Sequence, residues 1–215
     1  MRLNKRIVLF LLLASVVFIA IGILKFILFH QTFVVDIFKH PFVTPSLTYR
    51  TLTWAGGIFS LVIFMGLSWV LSIYRERQWV KLGIIIFWVW KIVLFVFFNL
   101  TFRHQHPHPS YSDALMKWLS VTNILNDAVS FGMIVSLLFV RNGVIRIYFV
   151  AFGVLMAIVY FFQYAGSFLY DGFGLRWGLV NVELLIYIAH LAPLFLFARL
   201  FDQSDKLNAD LTLEL

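Results

Sequence analysis

Residues 79–102 read WVKLGIIIFWVWKIVLFVFFNLTF, and this stretch decides the fold class. It is an unbroken apolar run interrupted only by Lys81 near its start, Lys91 in its middle and Asn99 and Thr101 at its end. At a helical rise of 1.5 Å per residue, about 20 such residues cross the roughly 30 Å of hydrocarbon in a bilayer. Working outward from it, the same criterion finds six runs: Arg6–Phe29, Thr51–Tyr74, Trp79–Phe102, Trp118–Val140, Gly143–Leu169 and Trp177–Leu200. The expected fold is therefore all-α, a polytopic integral membrane protein built as one bundle of six transmembrane helices over residues 1–200. A short tail, 201–215, follows it.

Composition points the same way. Hydrophobic residues make up 62% of the chain and charged residues 13%, against about 45–50% and about 25% in soluble domains. Too little charge remains to coat a soluble surface, which excludes a cytosolic enzyme, an extracellular module and a disordered tail. The net charge of +7 reflects Lys and Arg gathered at the ends of apolar runs, the pattern of membrane topology rather than of nucleic-acid binding. The chain has no cysteine, so disulfides, thiolate metal sites, thiol catalysis and lipidation at cysteine are excluded. The first run is too long for a signal peptide and no small-residue cleavage site follows it, so an uncleaved first span is expected.

Orientation follows from the cations. Placing the N-terminus inside puts Arg2, Lys5, Arg6, Arg75, Arg77, Lys81, Arg141, Arg146, Arg199 and Lys206 in the cytoplasm, and Lys39, Arg50, Arg103, Lys117 and Arg176 outside. That bias of about two to one predicts both termini cytoplasmic, in a plasma membrane or bacterial inner membrane. The loops at Arg75 and Arg141 are tight, with no room for a catalytic domain. The outer segment Thr32–His40 has Phe33, Val34, Ile37 and Phe38 on one helical face, predicting a short interfacial helix that Pro41 ends. The halves of the chain share no repeat beyond general apolarity.

Polar groups inside spans are costly and mark functional candidates. Lys25, near the outer end of span one, is expected to snorkel to the headgroups. Lys91 stands at the middle of span three. Asn123, Asn126, Asp127 and Ser130 share one face of span four. Ala128, Gly132 and Ser136 lie nearly opposite, a small-residue surface suited to close helix contact. These two faces predict that span four is the central helix. In span six Glu183, Tyr187 and His190 recur on one face, and Pro193 is expected to bend the helix beside His190. Span five contributes Tyr160, Gln163, Tyr164 and Ser167.

By helical rise, Asp127 falls about 3 Å outward of Lys91, Glu183 about 7–8 Å outward and His190 about 3 Å inward. The candidate site is thus an intramembrane cluster of Lys91, Asn123, Asn126, Asp127, Glu183 and His190 from spans three, four and six, with a Lys91–Asp127 pair at its centre. Such a pair reads either as a register-fixing ion pair or as part of a solute or proton pathway.

Outside, His104, His106 and His108 alternate among prolines, so an extended backbone would turn the three imidazoles one way. They are the candidate ligands for a divalent transition metal, with His40 or Asp113 as a fourth; the plain alternative is a solvated polar loop. No other cofactor is expected. No phosphate loop, zinc-helix motif or nucleophile elbow occurs. The favoured function is non-enzymatic, transport or permeation through the polar core. A sensor or protein-interaction module is the alternative, acting through the tail, where Leu207, Leu211 and Leu215 recur every four residues. An intramembrane enzyme using Asp127, Glu183 and His190 as acid–base groups is a third class. The expected partners are the lipid bilayer and a second copy or another membrane protein, with no nucleic acid.

Overall fold

A computed structural model of the chain describes the backbone of residues 4–39, 47–102, 113–173 and 178–213, and the side chains of 4–28, 47–49, 51–96, 121–162 and 184–204. The elements are all helices: α1 Lys5–Lys39, α2 Leu47–Ile73, α3 Gln78–Phe102, α4 Asp113–Leu138, α5 Gly143–Phe173, α6 Gly178–Ala189 and α7 Leu191–Leu213. Among the described residues, six stretches are long and apolar enough to cross a membrane: Lys5–Leu28, Leu47–Ile73, Gln78–Val96, Val121–Leu138, Gly143–Phe162 and Leu184–Ser204. These match the six apolar runs of the sequence, with ends displaced by a few residues.

Each span packs against the next, and α6 with α7 closes the bundle onto α1. The result is a ring of antiparallel neighbours. No helix is central, which corrects the expectation for span four. Phe131 and Ile124 of α4 are 69% and 67% exposed. Ala128 and Gly132 of its small-residue face are exposed too, and only Ser136 is buried. Ser136 packs where a side chain on Gly83 of α3 would stand, so the close approach needs one small residue from each helix, not a stripe.

One further expectation changes and another holds. α1 runs unbroken to Lys39, so the segment after residue 32 continues the first helix instead of forming a separate interfacial one. No Gly or Pro between residues 29 and 39 supplies a break. The last span is divided at His190, the residue between α6 and α7. Pro193 lacks an N–H and deprives the Ala189 carbonyl of its usual donor, which is the interruption the sequence predicts. Beyond that break α7 continues to Leu213.

The largest fully buried side chains, among them Ile63, Leu67, Ile84, Met133, Leu137, Phe149, Phe152 and Phe197, all lie in the half of the bundle nearer the two tight turns. Within the helices, hydroxyls return to their own backbone. Ser15 donates to the Leu11 carbonyl at 2.9 Å, Ser68 to Phe64 at 3.0 Å and Ser136 to Gly132 at 2.8 Å. This satisfies groups that hydrocarbon cannot.

The tight turns are tied together. α2 ends with the Glu76 N–H bonded to the Leu71 carbonyl at 3.0 Å and the Arg75 N–H to Ser72 at 3.3 Å, a Schellman closure. Arg75 takes the left-handed position, with φ of 50°, where glycine would be less strained. Glu76 is 6% exposed. Its Oε1 accepts the backbone N–H groups of Arg141 at 3.0 Å and Asn142 at 2.5 Å. Asn142 in turn caps α5, its Oδ1 accepting the Val144 N–H at 3.0 Å.

Candidate functional site

Three neighbouring helices bring polar side chains together inside the spans. Lys91 of α3 donates from Nζ to Asn126 Oδ1 of α4 at 2.8 Å, and its ammonium lies 5.1 Å from the centroid of the Phe87 ring one turn away. On the next seam, the Tyr160 hydroxyl of α5 donates to Ser130 Oγ at 2.6 Å. Asp127 lies between these bonds along α4, half-buried, and its carboxylate acts through space on both Lys91 and Tyr160. The site is a polar band across α3, α4 and α5. It holds an amine, a carboxyl and a phenol, with the neutral groups Asn126 and Ser130 making the direct hydrogen bonds.

The direct partner of Lys91 is Asn126, where the depth argument had put Asp127. Rise along an axis fixes height but not azimuth, and one residue rotates the side chain by about 100° while shifting it by only about 1.5 Å. Asn123, one turn nearer the start of α4, is exposed. Glu183 has its side chain outside the described residues, as have His104, His106, His108, His40 and Asp113 of the outer metal expectation. No group of three His, Asp or Glu able to hold a metal occurs among the described residues.

His190 does not join the band. It is 1% exposed, boxed by Phe18 at 4.3 Å, Phe152 at 5.2 Å and Phe64 at 5.9 Å between ring centroids. Phe64 packs in turn on Phe87 at 4.6 Å, so two aromatic rings separate the imidazole from Lys91. One nitrogen is engaged, Nδ1 lying 2.8 Å from the Ile186 carbonyl. The other, Nε2, is buried with no hydrogen-bond partner. A neutral ring donating from Nδ1 therefore turns an unmet lone pair into an aromatic box. An unpaired buried polar group costs about 1–3 kcal/mol. His190→Phe, which keeps the packing surface, is expected to unfold at the same temperature as the parent or higher. A clear loss of thermal stability in detergent would mean that Nε2 has a bound partner.

Lys25 departs from expectation most sharply. It is 5% exposed, with its ammonium 4.6 Å from the centroid of Tyr49 in α2, so it turns into the bundle instead of snorkelling. Nearby, the Tyr187 ring occupies the space that a side chain on Gly22 would take. Position along a span says nothing about which way the stem points, and the Tyr49 ring is what the ammonium meets here. At the turns, burial pushes the Tyr74 phenol up while Arg199 pulls it the other way. Arg199 also donates to the Tyr148 hydroxyl at 3.3 Å.

Glu76 went unremarked in the sequence. Its signal was a lone acid between Arg75 and Arg77 in a turn too short to waste a charge. No protein-family model, curated protein or solved structure matches the chain.

Proposed function

We propose that the chain is a multi-pass membrane protein of the plasma or bacterial inner membrane, with both termini cytoplasmic, whose task is permeation: passing protons or a small polar solute along the band of α3, α4 and α5. One observation carries the reading, the Lys91–Asn126 hydrogen bond inside two spans, continued to the third by Ser130 and Tyr160. Ionisable groups at this depth are costly, and a purely structural seam is made as well by apolar packing. The band offers an amine and a phenol that can give up protons, each at hydrogen-bonding distance from a neutral group of α4, Asn126 and Ser130, which stand one turn apart on that helix. The cation bias of the loops supports the orientation.

The test is proton entry into proteoliposomes carrying an internal pH dye, driven by a potassium diffusion potential. The parent protein is expected to acidify the lumen, and Lys91→Met and Tyr160→Phe to abolish this while inserting normally. Parent vesicles no faster than empty ones would overturn the proton reading.

A second reading, a sensor or interaction module, draws on α7, which runs without interruption from the break at His190 to Leu213. Removing residues 205–213 separates the two, since it would silence a signalling output and leave flux through the band intact.

A further inference from the structure

We propose that the clasped tight turns form a docking site for the headgroup of an anionic phospholipid. The clasp fixes Arg75 and Arg77, on either side of Glu76, against Arg141, because the Glu76 carboxylate takes the backbone N–H groups of residues 141 and 142. Arg146 follows one turn into α5, its N–H bonded to the Asn142 carbonyl at 2.8 Å. All four guanidinium side chains are exposed. The one acid between them is buried and already occupied by backbone donors. Four cations outnumber that single carboxylate, so the loops keep a net positive charge at their exposed face.

The conformation of Arg75 is a second, independent observation. Glycine at a left-handed position would relieve the strain that a Cβ brings there. A non-glycine residue held there is the kind of local strain that marks a functional surface. Here the strained residue is also the one that adds a guanidinium to the cluster, and the guanidinium fork suits phosphate oxygens.

The surroundings favour a lipid over a free phosphate. Trp79 and Phe139 pack together at 5.6 Å beside the turns and stay 42% and 58% exposed. An aromatic, apolar wall directly below the cations offers cover to acyl chains and nothing to an inorganic ion. Cations at this level attract anionic headgroups.

The experiment uses the full chain in neutral detergent micelles doped with phosphatidylglycerol or phosphatidylcholine, read by thermal unfolding. Phosphatidylglycerol is expected to raise the midpoint by several degrees over phosphatidylcholine, and the gain to shrink towards zero as salt approaches about 1 M. The triple variant Arg75→Gln, Arg77→Gln, Arg141→Gln is expected to lose the gain. Arg75→Gly gives a test independent of folding: it should unfold higher than the parent in phosphatidylcholine and yet show a smaller phosphatidylglycerol shift. Equal shifts with both lipids, or a full shift in the triple variant, would overturn the proposal. So would an equal shift with inorganic phosphate alone, which would assign the cluster to a soluble anion.

Discussion

Replacing Asn126 with Leu is expected to destabilise the protein by about 3 kcal/mol, among the largest effects of any single polar substitution in the bundle. The amide is the direct acceptor for Lys91 at 2.8 Å, and removing one partner of a buried charge strands the other in a poor solvent, at about 3–5 kcal/mol when burial is complete. Lys91 is only partly buried by the chain itself, which puts the expectation at the lower end. Lys91→Met added to Asn126→Leu should recover most of the loss, because an apolar pair in hydrocarbon leaves no stranded charge. Asp127→Leu alone should cost less than Asn126→Leu, since its carboxylate acts through space. Thermal unfolding of the single and double variants in detergent, arranged as a double-mutant cycle, measures this. Near-additive losses for Lys91→Met and Asn126→Leu would mean that the two side chains do not meet.

Gly22→Ala is expected to cost about 2–3 kcal/mol, as overpacking of a close helix contact does. A methyl on Gly22 falls within the ring of Tyr187. That ring cannot simply swing away, for it is 8% exposed and packs on Phe18 at 4.9 Å. α1 must therefore retreat from α6 along the seam that closes the ring of spans. Gly57→Ala is the control, with open space where its methyl would go, and is expected to be neutral or slightly stabilising through helix propensity. Tyr187→Leu in the Gly22→Ala background should restore part of the loss. Unfolding midpoints decide it: Gly22→Ala and Gly57→Ala melting together would show that α1 and α6 do not approach through this glycine.

The fold was readable because hydrocarbon makes one demand that every span repeats. Apolar runs at the right length, with Lys and Arg at their ends, identify six helices without knowledge of their packing. Even the interruption of the last span was visible, since Pro193 removes a specific donor. The neighbours of each side chain were not. Lys25 and Lys91 have similar surroundings along the chain, yet Lys25 meets the Tyr49 ring of α2, and the partner of Lys91 is set by the rotation of α4. His190 and Glu183 share a helical face by spacing, but whether His190 reaches Lys91 depends on Phe64 and Phe87, which belong to other helices. Glu76 escaped because backbone N–H groups are in every residue and leave no mark in the sequence.

The break at His190 has a mechanical side. α7 begins one residue after it and runs for 23 residues, a rod of about 34 Å at helical rise. Leu196, Phe197 and Leu200 of that rod are buried among the other helices, so it cannot swing without parting from α1 and α5. A displacement at the break is passed along it instead as a slide or a turn about its own axis, and anything that bound or left the unmet nitrogen of His190 would act at the end of a stiff push-rod that reaches Leu213.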